Sequence, residues 1–414
     1  MSVRMNDTDV GRHVVRKVKS LENTTELECC NPVPVIQWKN VGPERFLLGR
    51  GSFSNVYKIT LNVSLKETPK MENDQQELES LSLSSEFYAL KRLNSVMPAD
   101  AKIFKNAAID IALEACLLKR LRHPNIVHLH AIKSGDLEDA INYRDYFLVL
   151  DFLVRTLRIQ LRLWSKKYNS ILYVFNRKAQ TIRLMERLES TALGIVKGME
   201  YLHSKNVIFR DLKPDNIGYD IQNTIRIFDF GLARDMTYVK RQGMSLGCAG
   251  TIRYMANEIT TKRKTKTPYG LAVDVYSFGI LLWEICTLRG AYGNITNLCQ
   301  YYKQVVKEDQ RPDLRLIPFQ ALQDLLSRCW HSNPDMRPTF TEIRQELELF
   351  IQEHRKDSSA GCSSISIEKK KLRSSIRWNS IIDNDNNSRN WNSMQILFDH
   401  PYQKSKLHKI LRCV

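Results

Sequence analysis

Long apolar runs, paired cysteines and internal repeats are all missing from this 414-residue chain. The longest greasy stretch, Phe278 to Cys286, is far too short to span a bilayer. Residues 1–20 carry charge throughout where a signal peptide would have an apolar centre. Neither a transmembrane segment nor a leader is expected, which points to intracellular residence, cytoplasmic or nuclear. The nine cysteines are odd in number and scattered from Cys29 to Cys413, without zinc-module spacing or the framework of a secreted disulfide protein. They read as reduced thiols. Sequons such as Asn23-Thr24-Thr25 are therefore expected never to meet a glycosylation enzyme. No arginine-rich recognition helix or stacking-aromatic signature is present, so no sequence-specific nucleic acid is expected as a partner.

What is there describes a folded chain. The composition, 43% apolar and 26% charged, is near the globular average and excludes a wholly disordered or fibrous protein. Lys and Arg total 62 against 45 Asp and Glu, a net charge of +17 that favours anionic partners. From Glu353 onward there are 12 basic and 6 acidic residues, so the tail carries +6, and an acidic partner or lipid surface is a candidate for it. The length suits one large bilobal domain, or two smaller ones, with tails.

Along the chain, residues 1–43 read as a polar, mobile extension with little periodicity. Residues 351–414 read as a basic, disordered tail, with Met394 to Phe398 as a docking segment. Between them, short apolar runs separated by turn residues give way to long stretches of helical period. Phe46-Leu47-Leu48, Val56 to Ile59, Phe87 to Arg92 and Tyr146 to Asp151 are predicted strands, and Leu61 to Ser85 a looped-out polar insert. Ile109, Leu113, Cys116 and Leu117, and then Ile182, Met185, Leu188, Ala192, Ile195, Met199 and Leu202, form two buried helical stripes. The expected fold is α+β: a small, mainly antiparallel sheet with one main helix, then a larger helical part.

Gly49-Arg50-Gly51-Ser52-Phe53-Ser54-Asn55-Val56 lies between two predicted strands, where glycines let backbone N–H groups approach polyphosphate oxygens. Two glycines in a hairpin are more often just a turn. Ala89-Leu90-Lys91 follows on a strand and Glu114 on the next helix, a pair able to hold an ammonium against nucleotide phosphates. Further on come Phe209-Arg210-Asp211-Leu212-Lys213-Pro214-Asp215-Asn216 and, after a strand-like Thr224 to Phe228, Asp229-Phe230-Gly231. This ordered series, completed by Ala256-Asn257-Glu258, Asp274 to Gly279 and Arg337-Pro338, resembles the eukaryotic protein kinase family.

The resemblance covers residues 44–350. It implies a bilobal kinase fold with an N-lobe at about 44–150 and a C-lobe at about 154–350. It also implies ATP and Mg²⁺. Lys91 would meet the α and β phosphates with Glu114 holding it, and Asn216 and Asp229 would bind the metal. Asp211 would orient the acceptor hydroxyl and take its proton, with Lys213 balancing charge on the moving phosphoryl group. Gly49, Gly51, Ser52, Phe53, Val56, Ala89, Leu150, Asp151, Leu153, Gly218 and Phe228 would surround the nucleotide, with Leu150 as gatekeeper and Asp151-Phe152-Leu153 as hinge.

Lys213 and Thr251 look like the serine/threonine pattern, and Cys329-Trp330 and Met336-Arg337-Pro338 like the tyrosine-kinase-like group. The resemblance thus implies protein substrates with Ser or Thr acceptors and a signalling role. A kinase-shaped scaffold with weak or no catalysis is the alternative, against which the retained Lys91, Glu114, Asp211, Asn216 and Asp229 argue.

Phe209 replaces the usual His and is expected to stack on Phe230. Gly218 and Phe228 exchange the usual large and small sizes, and the Phe228 ring is expected to fill the space left by Gly218. Glu258 and Arg337 should form a buried ion pair, and Asp274 should support the backbone near Arg210. Arg210 suggests control by a phosphate on Thr237, Tyr238 or, most favoured, Ser245. His123, His128 and His130 match an ordinary turn into a strand better than a metal site, and Cys29-Cys30 match small apolar residues better than an acylation site.

Overall fold

The computed structural model describes residues 8–24, 33–51, 53–62, 87–94, 101–142, 144–168, 177–244, 246–261, 269–295, 297–359 and 395–397. Two compact units share the chain in alternation. The first holds residues 1–157, 201–209 and 215–244, and the second residues 158–200, 210–214 and 245–414.

The first unit is built on a six-stranded sheet. Its strands are β1 (Val35–Ile36), β2 (Phe46–Arg50), β3 (Ser54–Ile59), β4 (Tyr88–Leu93), β5 (Leu129–Lys133) and β6 (Phe147–Asp151), in spatial order β1-β5-β6-β4-β3-β2. All pairings are antiparallel except β1 with β5. The predicted strands overlap β2, β3, β4 and β6, those of β4 and β6 beginning one residue early, at Phe87 and Tyr146. Ile59, Leu90, Ala131, Phe147 and Val149 join Ile36 and Val41 in a core on one face of this sheet, as the alternation of apolar residues requires.

Helix α2 (Ala101–Leu118) is apolar nearly all round. Ile103, Phe104, Ala107, Ala108, Ile111, Ala112, Leu113, Ala115, Cys116 and Leu117 are all buried. Such a helix must be covered on several sides, and the covering corrects the sequence reading. Residues 8–24, expected to belong to a mobile extension, form helix α1 (Thr8–Thr24), which packs on α2 and on α3 (Leu137–Asn142). Val10, Val14, Val18 and Leu21, spaced four, four and three apart, are the buried stripe of α1. Full burial of each is worth about 1.5–3 kcal/mol. Beside the one main helix expected next to the sheet, α1 and α3 are thus among the described helices of this unit. Leu61, assigned to the polar insert, bridges Val41 and packs against the sheet core, while residues 63–86 lie outside the described residues.

The second unit is helical. Its centre is the helix Ala272–Thr287, buried on every side from Val273 to Ile285, which accounts for the greasy stretch beginning at Phe278. Gly279 lets Cys329 of the Gln320–Cys329 helix close in: a Cβ there would sit 2.9 Å from the Cys329 Cβ. In the predicted stripe from Ile182 to Leu202, Ile182 is half-buried and the other six residues are buried. The last long helix runs from Phe340 to Ser359, past the expected boundary at residue 350. Within the tail, Gln395–Leu397 pairs antiparallel with the strand Ala249–Thr251, inside the segment singled out for docking. The remaining tail, with most of its basic residues, lies outside the described residues. Among the described residues no helix is long and apolar enough to cross a membrane.

Arg337 and Glu258 meet through two bonds, Nη1 to Oε1 at 2.7 Å and Nη2 to Oε2 at 2.9 Å, and both side chains are almost fully buried. Deleting one partner strands the other charge out of water. Arg337→Ala should lower unfolding free energy by about 3–5 kcal/mol in urea denaturation, whereas a change below about 1 kcal/mol would mean the pair is solvated like a surface bridge.

Candidate active site

In the first unit the site begins with β4, whose register sets Lys91 opposite Val56 on β3 and Leu148 on β6. The Lys91 ammonium donates to both Glu114 oxygens, at 2.9 and 2.6 Å, and to Asp229 Oδ1 at 2.7 Å. Burial alone would lower the Lys91 pKa, but the charges of Asp229 and Glu114 outweigh it and raise the value, so the side chain is a fixed cation. Burial pushes the Glu114 carboxyl up, and the Lys91 charge opposes that shift. Glu114 Oε1 also accepts the Phe230 backbone N–H at 3.2 Å. One carboxylate therefore ties α2 to β4 and to the turn at Asp229.

Asp229 itself adopts φ +65°, a left-handed conformation that costs energy for a residue with a side chain. Phe209 and Phe230 hold the turn from behind, with centroids 5.1 Å apart and ring planes at 72°. The aromatic replacement for His thus packs as expected. Strands Ile217–Tyr219 and Ile225–Ile227 form an antiparallel pair, extended by the Phe228 N–H bonding the Asn216 carbonyl at 3.0 Å. That hairpin sets Asn216 opposite Phe228, one residue short of Asp229. Arg234 then reaches Asp110 of α2 at 2.7 Å.

Gly49 lies in β2 opposite Val56, and Gly51 lies at the β2–β3 turn, closed by the Gly51 N–H to Ser54 carbonyl bond at 2.7 Å. Phe53 follows and Val56 sits on β3. Ser52 lies outside the described residues. Ala89 pairs with Leu150 across β4 and β6, and both are buried. Asp151 ends β6. Burial would raise its pKa, but bonds from the His130 ring and the His128 N–H, each at 2.8 Å, bring it below the usual carboxylate range. His130 is thereby committed to the end of β6.

The size exchange is resolved differently from the expectation. A Cβ on Gly218 would lie 2.7, 3.1 and 3.3 Å from three Leu153 side-chain atoms. The space beside Gly218 is therefore filled by Leu153, two residues after β6, whereas Phe228 lies next to Asn216 in the register. Periodicity could not show this contact, which joins residues 65 apart in the chain.

The second unit holds Asp211 and Lys213. Lys213 donates to Asp211 Oδ2 at 2.7 Å and to the Thr251 hydroxyl at 2.8 Å, and that hydroxyl donates to Asp211 Oδ1 at 2.7 Å. Both carboxylate oxygens are thus oriented. Thr251, recognised in sequence only as a group marker, proves to be a partner of Asp211. Arg210 takes φ +69°, and its N–H is held by the fully buried Asp274 at 2.8 Å, as expected. Gly250, at φ +125°, lets the Arg210 carbonyl come to 2.5 Å from where a Cβ would sit. Any side chain there would collide.

The Arg210 guanidinium donates to the Leu246 carbonyl at 2.7 Å and touches the Tyr269 hydroxyl. Of the three phosphate candidates, Tyr238 is buried and the Thr237 hydroxyl accepts from Asn206. Ser245 lies outside the described residues.

A family model described as protein tyrosine and serine/threonine kinase matches residues 45–347. The chain belongs to this family. It is similar to serine/threonine-protein kinase STY17 of Arabidopsis thaliana, 30% identical over 59% of this chain and 38% of that protein. It is also similar to serine/threonine/tyrosine-protein kinase HT1 of Arabidopsis thaliana, 34% identical over 57% of this chain and 54% of that protein. The chain spans about two fifths to half the length of these two relatives. Membership fixes the eukaryotic-type kinase fold, a sheet-bearing N-lobe and a helical C-lobe, and implies ATP as substrate with a divalent metal.

For this kinase the Gly218–Leu153 contact sets a nucleotide-affinity test. Gly218→Leu forces Leu153 aside and should weaken ATP binding on the order of 10- to 100-fold in a fluorescence titration. Unchanged affinity would show that Leu153 is free to move without disturbing the nucleotide.

Proposed function

We propose that this chain is a serine/threonine protein kinase, transferring the γ-phosphoryl group of ATP to Ser and Thr hydroxyls of protein substrates in intracellular signalling. The observation that carries the acceptor side is the Asp211, Lys213 and Thr251 triangle. Phosphoryl transfer asks for alignment and charge neutralisation more than covalent help. Asp211 orients the acceptor hydroxyl and takes its proton, Lys213 offsets charge gathering on the transferred group, and Thr251 fixes the carboxylate rotamer.

On the nucleotide side, Lys91 meets the α and β phosphates and Glu114 keeps it there. The hinge from Asp151 to Leu153 meets adenine. Because the Asp151 N–H bonds the His128 carbonyl at 3.2 Å, adenine bonding falls to the other hinge backbone groups. Asn216 and Asp229 fit Mg²⁺: the Asp229 side chain is 38% exposed, and the pair offers an amide and a carboxylate oxygen, donors of the hardness this ion takes. Bound Mg²⁺ would neutralise phosphate charge.

Asp211→Asn should keep ATP affinity while phosphorylation of a Ser/Thr peptide panel falls by about 10²–10⁴-fold. Undiminished transfer by this variant, or transfer by the intact chain to tyrosine peptides alone, would refute the assignment.

A further inference from the structure

We infer that α1 is a built-in positioning element for the phosphotransfer reaction, holding α2 where Glu114 can grip Lys91. The inference rests on the kinase reading above and concerns regulation of the same site.

Four observations meet on α1. The first is that α2 has an apolar circumference including Ala107, Ala108, Ala112 and Ala115, all buried. Small side chains let another helix approach closely, and α1 is packed on α2. Second, α1 is locked to α3 by polar and steric fit. The Gly11 N–H donates to Asn142 Oδ1 at 3.0 Å, and Arg12 pairs with Glu138 at 3.1 Å. Gly11 is also so close to α3 that a Cβ would sit 2.5 Å from the Glu138 carbonyl oxygen.

Third, the two helices come together near the catalytic turn of α2. The buried Tyr146 hydroxyl, whose pKa is raised first by burial, also feels Cys116 and Glu114 of α2 and Glu22 of α1. Fourth, α1 packs on the short helix Met236–Arg241, which follows Asp229-Phe230-Gly231 and is capped by Asp235. The same stretch is tied to α2 through Arg234 and Asp110. Glu114 is thus borne by a helix braced from α1 and from the segment after Asp229.

The physical argument is one of register. The Lys91–Glu114 bonds, at 2.6 and 2.9 Å, tolerate little displacement of α2. Without α1, the part of α2 that α1 covers would meet water, and a shift that hid it would become favourable. Val10, Val14, Val18 and Leu21 remove that incentive. Anything that lifts α1 away would therefore act on catalysis through Glu114 and its hold on Lys91.

The test uses the full chain with Val14→Asp and Val18→Asp together, and reads kcat and the KM for ATP. The expected result is a fall of at least about tenfold in kcat with a smaller change in KM. In a Glu114→Gln background the same two substitutions should have little further effect, because the interaction they act through is already gone. Equal losses in both backgrounds, or an unaltered kcat, would overturn the inference.

Should the doubly substituted protein fail to fold, Gly11→Leu prises α1 from α3 without charging the core. It should show the same dependence on background, and an unaltered rate would count against α1. If the intact chain transfers no phosphate at all, the kinase reading is what fails. Hydrogen exchange then reads α1 by itself: amides of residues 101–118 should exchange faster in Gly11→Leu, and unchanged protection would reject the brace.

Discussion

A lysine ammonium taken out of water must be paid for by anions, and in this chain Lys91 has two. Glu114 and Asp229 come from a helix and a turn far apart in sequence, so the three-way contact constrains three elements at once. Burial would otherwise drive Lys91 toward its neutral form, which could not hold phosphate oxygens. The cation is a consequence of where β4, α2 and the Asp229 turn are placed. Much of the first unit serves that placement: the antiparallel register of β3, β4 and β6 sets the height of Lys91, and the Phe209–Phe230 contact backs the turn.

Of the eight described non-glycine residues with positive φ, two are motif residues. Asp229 in the first unit and Arg210 in the second both take left-handed conformations that side chains disfavour. Each is held by a compensating bond: Glu114 accepts the N–H next to Asp229, and Asp274 accepts that of Arg210. In the second unit a glycine solves the adjoining problem. Gly250 gives the Arg210 carbonyl room that no side chain would leave, and this brings Thr251 against Asp211 and Lys213. A rigid carboxylate with both oxygens oriented suits a group that must align a hydroxyl.

The motif residues were legible because their chemistry demands fixed types at short spacing, as in Asp211-Leu212-Lys213 or Asp229-Phe230-Gly231. The sheet was legible from short apolar runs between turn residues, as in Val56 to Ile59 and Tyr146 to Asp151. Features that depend on distant partners were not. Val10, Val14 and Val18 are separated by Arg12, Arg16 and Lys17, so their stripe reads as polar until α2 and α3 supply the apolar surface that covers it. Leu153 fills the gap at Gly218 through a contact that no local pattern encodes. Thr251 marks a group in sequence, but its bond to Asp211 appears only when the strand Ala249–Thr251 is in place.

The account stands or falls on Lys91 as a functional cation and not a structural one. Incubating the intact chain and Lys91→Met with radiolabelled ATP, divalent metal and a generic basic protein acceptor measures this directly. Label should pass to the acceptor with the intact chain and fall by about 10²-fold or more with Lys91→Met while the variant stays folded. Equal labelling by the two proteins would contradict it.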